Sequence, residues 1–447
     1  MTTTATFPDD FVFGAATSAY QIEGAPLEEG AGVSNWHRFT RIPGKVANGD
    51  TGDIACDHYR RMEGDVELMQ TIGLDAYRFS VAWSRILPEG RGKMNPKGVD
   101  FYHRLLDALE RAGIAPYLTL HHWDLPQALD ELGGWSNRDC AYWFADYAHL
   151  MFKAFGPRVR HWTTHNEPWV MVHEGYVAGS HPPGLQDLAK AHLASHHLLL
   201  GHGLAVQAFR ADGSGEIGLV VNLEPKDPAS QDPHDLDATQ RMDAWMNRQF
   251  LDPLFGLGEP PALAALAGWA DVRFPADDDR IIQTPMDFLG INYYSRQVVT
   301  ADPTNLPFGS QRLRQSQAEH TDMDWEVYPQ GIKRCLLWVK QRYGDLPLYV
   351  TENGAALPDP APVNGRVHDP RRIAYFKSHL LAIREAMDDG VNLKGYFAWS
   401  LFDNFEWAFG YGKRFGLIYV DYKTLERTLK DSARFYRELI GNRGFSL

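Results

Sequence analysis

A chain of 447 residues with 44% hydrophobic and 12% aromatic content is long enough to bury a large core, and no apolar run approaches the roughly 18 residues of a membrane span. A net charge of −13 leaves no basic footprint for nucleic acid or anionic lipid, so neither is expected as a partner, and the balance suits a neutral small-molecule substrate.

The first ten residues carry neither a basic start nor an apolar core, so no secretory signal is expected there. Cys56, Cys140 and Cys335 are scattered, odd in number and without metal spacing, and no Asn-x-Ser/Thr sequon occurs. The expected compartment is a reducing cytoplasm. Nothing in the composition specifies an oligomeric state.

Strand-like runs are predicted at Phe11 to Ala15, Ala76 to Val81, Ala115 to Leu120, Val159 to Thr163, Ile217 to Val221, Phe288 to Ile291, Leu348 to Val350 and Gly395 to Ala398. Helical period fills the gaps. It is clearest in Ile373, Phe376, Leu380, Ile383, Met387, in Ile332, Leu336, Val339, Tyr343, and in Tyr102, Leu105, Leu109. Eight alternations predict an α/β fold, a single-domain (β/α)8 TIM barrel spanning 1–447, with a doubly wound open sheet as runner-up. The Pro- and Asp-rich stretches Lys226 to Pro233, Asp302 to Asp324 and Leu357 to Asp369 follow runs five, six and seven, as elaborated loops on the rim of a pocket would.

What stands at the C-terminal end of each run is polar or aromatic. Gln21 and Glu23 follow the first, Arg78 and Trp83 the second, His121-His122-Trp123-Asp124 the third, Asn166-Glu167 the fourth and Asn222 the fifth. Asn292 and Tyr294 follow the sixth, Glu352-Asn353 the seventh and Trp399 the eighth. In a barrel these ends converge on one face, giving a polar, tryptophan-lined pocket that fits a sugar ring, with its hydroxyl edge and C–H faces. Pro168 stops the fourth run just after Glu167, and a turn glycine, Gly354, follows Glu352 closely.

Two strand-end glutamates invite a two-carboxylate mechanism. It retains configuration at a separation of about 5 to 5.5 Å and inverts it at roughly 6.5 to 9.5 Å. Arg78 and Tyr294 would keep a nearby carboxylate ionised, while the other, facing a negative neighbour, would hold its proton. No cofactor is expected, since Gly201-His202-Gly203 lies inside a helical pattern and reads as packing. No metal is expected either. His121 and His122 are neighbours on a strand and face opposite ways, which leaves His121 as a satisfied structural histidine and His122 in the pocket.

Five ordered motifs spread over nearly the whole chain then resemble the family 1 glycoside hydrolases, the β-glucosidase family. They are Phe11-Val12-Phe13-Gly14-Ala15-Ala16-Thr17-Ser18-Ala19-Tyr20-Gln21-Ile22-Glu23-Gly24, His122-Trp123-Asp124-Leu125-Pro126, Asn166-Glu167-Pro168, Thr351-Glu352-Asn353-Gly354 and Asn404-Phe405-Glu406-Trp407. The resemblance implies Glu167 as acid/base, Glu352 as nucleophile and Arg78 in support. It implies a glycone site of Gln21, His122, Asn166, Asn292, Tyr294, Trp399, Glu406, Trp407 and Phe415. Trp325, with Trp169 and Asn222, is expected towards the aglycone.

Relatives that cleave thioglucosides carry Gln where Glu167 stands, and relatives acting on 6-phosphosugars carry Ser in place of Glu406, so the resemblance implies an O-glycoside of an unphosphorylated sugar. His165 departs from the apolar residue usual before Asn-Glu-Pro. The expected activity is a retaining β-glucosidase acting on β-glucosides and cello-oligosaccharides, with β-fucosidase or β-galactosidase side activity. A transglycosylase using the same site, and a non-catalytic sugar-binding barrel, are the rival readings.

Overall fold

The computed structural model describes residues 4–269 and 271–446, so the expected domain span of 1–447 includes five positions outside the described residues. Eight parallel strands close into a barrel: β1 (Val12–Ala16), β2 (Ala76–Ser80), β3 (Ala115–His121), β4 (His161–Asn166), β5 (Glu216–Asn222), β6 (Phe288–Asn292), β7 (Leu348–Asn353) and β8 (Leu393–Trp399). β8 pairs with β1 over Gly395↔Val12 to Trp399↔Ala16, which completes the ring. The open sheet is thereby excluded.

The principal helices outside the barrel are α1 (His58–Ile72), α2 (Pro96–Ala112), α3 (Asp139–Phe155), α4 (Leu188–Asp212), α5 (Pro233–Asp243), α6 (Gln330–Tyr343), α7 (Pro370–Asp388) and α8 (Asp431–Asn442). α2 shows why such segments are helical. Asn95 caps its N-terminus by accepting from Lys97 N–H, Pro96 takes the first position, and Gly113 ends it at φ 72°. Phe101, Tyr102, Leu105, Leu106 and Leu109 form the buried stripe between.

Inside the barrel, alternate residues point inward. The floor is an aromatic plug in which Tyr117 meets Phe397 at 4.9 Å and Phe288 meets Tyr349 at 5.1 Å between ring centres. Gly14 makes room for it, since a Cβ there would lie 2.4 Å from the Phe397 ring. One layer up, β2, β6 and β8 present Arg78, Asn292 and Trp399. The chemistry therefore begins where the apolar plug ends.

Two strands depart from simple alternation. On β4 the register against β5 shifts between Thr163 and Asn166. Thr163 bonds Thr119 inside the barrel, Thr164 and His165 both face the helices, and Asn166 faces in again. On β7 the register shifts between Val350 and Glu352, so that Thr351 and Glu352 can both reach the interior. The strands accordingly run further than Val159 to Thr163 and Leu348 to Val350, because ladder pairing continues past the shift to Asn166 and Asn353.

The stretches expected as loops after β5 and β6 are partly strand. Lys226–Pro228 pairs parallel with Gln297–Ala301, which pairs antiparallel with Ser310–Arg312, forming a small sheet on the rim. Gly203 packs α4 closely, since a Cβ there would stand 2.0 Å from Ile281 O. His121 departs from expectation. It is buried against Trp83, Trp135 and His165, and neither ring nitrogen has a hydrogen-bond partner among the described residues.

His121, His165 and His202 thus form a buried imidazole cluster outside β3 and β4. Burial pushes His121 and His202 down to about 3 and holds His165 well below the usual value, with His121 and His202 adding to the effect there. These pKa values are depressed in the folded state. Their contribution is therefore intact above pH 6.5 and is lost as pH falls from 6.5 towards 3, at up to about 1.4 kcal/mol per pH unit for each histidine. Replacing His165 with Leu, which suits its stack on Phe144 at 4.3 Å, is expected to flatten the fall in urea-unfolding free energy between pH 6.5 and 4. An unchanged slope would show that His165 does not titrate on unfolding.

Candidate active site

The C-terminal ends of the barrel strands open into a cavity of about 380 Å³ whose lining includes Glu167, Glu352 and Glu406. Three residues that shape it, Trp123 (φ 78°), Glu167 (φ 49°) and Trp407 (φ 48°), hold left-handed backbone that non-glycine residues adopt at a cost of about 1–3 kcal/mol each. For Glu167 this turn follows directly on β4. Its N–H still donates to Val220 O at 2.9 Å, and the next residues start the short helix Pro168–Val172.

Arg78 is 1% exposed and joins three strands at this level. Its Nη1 donates to Glu352 Oε1 at 2.6 Å and its Nη2 to Asn166 Oδ1 at 2.7 Å. Tyr294 Oη donates to the other oxygen of Glu352 at 2.6 Å. Asn292 Nδ2 donates to Glu167 Oε1 at 2.7 Å and to Asn166 Oδ1 at 3.1 Å, while its own oxygen accepts from Thr351 Oγ1. One network thus orients both glutamates.

The two carboxyls differ in their company. Burial raises the Glu167 pKa well above the usual range, and the negative field of Glu352 raises it further, against the single hydrogen bond from Asn292. Burial pushes Glu352 up as well, but Arg78 and then Tyr294 pull it back. Of the two, Glu352 has the surroundings that favour the charged form and Glu167 the surroundings that favour the proton. Glu406 is raised to about 8 by burial and by Glu352, opposed by Gln21.

His122 accepts from Asn166 Nδ2 through Nε2 at 3.1 Å, which leaves its Nδ1 protonated and without a partner among the described residues. Burial, with Arg78 nearby, keeps the ring neutral. Its plane lies within 20° of both Trp399 and Trp407. Trp399, Trp407, Phe415, Trp325, Tyr294, Trp169 and Asn222 all reach the cavity wall. Gln21, Asn166 and Arg78 stand behind it. Gln21 Nε2 donates to Asn404 Oδ1, Phe405 O and, at 3.3 Å, Glu406 Oε2, so it touches the site through Glu406.

Five strand-end residues, Glu23, Trp83, His121, Asp124 and Asn353, are not brought to the cavity. Glu23 is taken up by Arg85 at 3.0 Å and Tyr102 at 2.6 Å, and Trp83 stacks on Tyr147 at 4.6 Å. The outer wall also contains Glu174, His181, Met246, Met323 and Phe409, which strand-end reasoning missed because all five lie away from the barrel strands. The signals near them were the rim stretch Asp302 to Asp324, which contains Met323, and the tryptophans Trp325 and Trp407.

A profile of the family described as "Glycosyl hydrolase family 1" matches residues 3–445. The chain belongs to glycosyl hydrolase family 1. Within it, the chain is 47% identical to a 1,4-beta-D-glucan glucohydrolase of Thermotoga neapolitana over 98% of this chain and 99% of the relative. It is 43% identical to a bifunctional beta-D-glucosidase/beta-D-fucosidase of Bifidobacterium breve, over 98% of each. The solved family 1 b-glucosidase from Thermotoga maritima superposes with a TM-score of 0.96 at 46% identity, covering 99% of both chains. The (β/α)8 barrel is thus the architecture of this family 1 member and of its relatives.

The opposed environments of the carboxyls lead to a direct test. In Glu352→Gln the negative charge that raises its neighbours is gone, so the pKa values of Glu167 and Glu406 are both expected to fall. Carboxyl-carbon NMR titration of labelled glutamates reads both. Unchanged values would mean that Glu352 carries no charge at neutral pH.

Proposed function

We infer that this family 1 enzyme is a retaining β-glucosidase that removes terminal non-reducing β-D-glucosyl residues from unphosphorylated O-glycosides. The observation that carries the reading is the division of labour between the two glutamates. Glu352, held by Arg78 and Tyr294 through both oxygens, is the nucleophile; Glu167, buried without a cation of its own, is the proton donor.

In the first step a Glu352 oxygen attacks the anomeric carbon while Glu167 gives its proton to the departing glycosidic oxygen, leaving a glycosyl ester on Glu352. In the second, Glu167, now ionised, takes a proton from water as that water attacks the same carbon and returns Glu352 as carboxylate. Two inversions restore the β configuration. Arg78 and Tyr294 hold the attacking carboxylate in place before it reacts. The reaction so described uses only side chains of this chain.

For the glycone, Glu406 offers its carboxyl group to ring hydroxyls with His122 on the same wall, and Trp399 and Trp407 offer faces to the C–H groups. The described lining holds several glutamates and no lysine or arginine, which supports a neutral rather than a phosphorylated sugar. Trp169, Asn222 and Trp325 would meet the aglycone, where cello-oligosaccharides extend. A relative's dual activity on glucosides and fucosides supports β-fucosidase side activity here. The reading includes a cytoplasmic location, supported by the three free, buried cysteines; no described helix is long and apolar enough to cross a membrane.

Glu352→Gly is expected to lower hydrolysis by about 10⁴-fold or more, the scale of losing a nucleophile. Azide should then attack from the vacated face and restore turnover of an activated β-glucoside as the α-glucosyl azide. A β-azide product, or near-normal hydrolysis without azide, would place the nucleophile elsewhere.

A further inference from the structure

A second cavity, of about 230 Å³, lies on the flank of the barrel, away from the reacting carboxylates. One wall is a single face of α7, with Arg371, Ala374, Tyr375 and Ser378 at i, i+3, i+4 and i+7. The segment after β7 supplies Ala355 and Leu357, and the loop after β6 closes it with Glu319 and Val327.

The rim chemistry is specific. Arg371 Nε and Nη2 both donate to Glu319 Oε1, at 3.0 and 2.8 Å, and Nη2 also reaches His320 O at 3.3 Å. Glu319 Oε2 and Arg371 Nη1 have no hydrogen bond among the described residues. The rim therefore offers one acceptor and one donor side by side at zero net charge, with buried Ala355 and Leu357 as an apolar floor and Val327 and Ala374 as apolar sides. An anion would meet Glu319 and a cation would meet Arg371. A pair of neighbouring hydroxyls fits both, and the C–H face behind them fits the floor. The volume falls below the roughly 300–1,000 Å³ of sites for drug-sized ligands, which suits one monosaccharide rather than a chain.

The cavity also shares structure with the active site. Val327 N–H donates to Glu319 O and Thr321 N–H to Trp325 O, folding 319–327 into a compact turn, and Asp322 N–H ties that turn to Ala356 O. The opposite side of this turn places Met323 and Trp325 on the catalytic cavity, and the Trp325 ring lies 5.1 Å from that of Tyr294, which bonds Glu352. Tyr375 accepts from Asn353 Nδ2 at 3.0 Å, one residue beyond Glu352.

We propose that this flank cavity is a second binding site for a small neutral sugar, the released glucose, and that its occupancy changes substrate affinity through the turn carrying Trp325. The choice of glucose rests on the glucosidase reading; the cavity and its polyol chemistry do not. Coupling between sites commonly spans roughly 5- to 150-fold in affinity, and an effect on KM is expected because the shared turn lines the catalytic cavity with Met323 and Trp325.

The test is calorimetric titration of D-glucose into enzyme whose catalytic pocket is saturated with deoxynojirimycin. Wild type is expected to retain one glucose site. Ala374→Trp, an exposed helix position whose indole would fill the cavity, should abolish it, and Glu319→Ala at the exposed rim should weaken it at least tenfold. Both variants should hydrolyse an aryl β-glucoside within twofold of wild type when no glucose is present, and should lose any glucose effect on KM beyond simple competition. Absence of the residual site in wild type, or its persistence unchanged in both variants, would overturn the proposal. Failure of deoxynojirimycin to bind would count against the glucosidase reading instead, and glucose titration of wild type against Ala374→Trp without it would still read the cavity.

Discussion

The buried guanidinium of Arg78 is the constraint on which the rest of the site depends. It sits above an aromatic plug that excludes water, and its two terminal nitrogens bind Glu352 from β7 and Asn166 from β4. Deleting one partner of such a pair typically costs about 3–5 kcal/mol, because the other charge is left buried and uncompensated. Three carboxyl groups, those of Glu167, Glu352 and Glu406, share the cavity wall, and Arg78 hydrogen-bonds only Glu352 among them. Burial raises the proton affinity of all three and the field of Glu352 raises it further at Glu167 and Glu406, whereas at Glu352 itself Arg78 is the foremost opposing influence.

The local backbone follows from the same need. A regular strand cannot turn two successive side chains inward, yet Thr351 and Glu352 both bond groups inside the barrel. The register shift in β7 resolves this, and the shift in β4 followed by left-handed Glu167 does the same on the opposite side. Each irregularity costs backbone energy that the surrounding ladder and the Arg78 network offset. Three of the left-handed non-glycine residues, Trp123, Glu167 and Trp407, stand on the cavity wall.

The barrel was legible in the sequence because parallel strands buried on both faces read as short apolar runs, and eight of them alternated with helical period. The site was legible because barrels gather strand ends, which put Asn166, Glu167, Asn292, Tyr294, Glu352 and Trp399 in one place. What the pattern could not carry was direction and depth. Nothing in Glu23 distinguishes it from a pocket residue until Arg85 and Tyr102 are seen to claim it. Gln21 and Asn166 look like wall residues in the sequence and stand behind the wall in three dimensions. His121 looked like a hydrogen-bonded structural histidine, yet aromatic rings surround it. Glu174, His181 and Phe409 come from connecting segments, whose paths no local period encodes.

The central claim is that Glu352 attacks and Glu167 protonates, so that two displacements restore the starting configuration. Proton NMR of the anomeric region during the first turnovers of an aryl β-glucoside tests it most directly, before mutarotation mixes the anomers. β-D-glucose is expected to accumulate first and the α anomer only later, at the spontaneous rate. Initial release of α-D-glucose would contradict it.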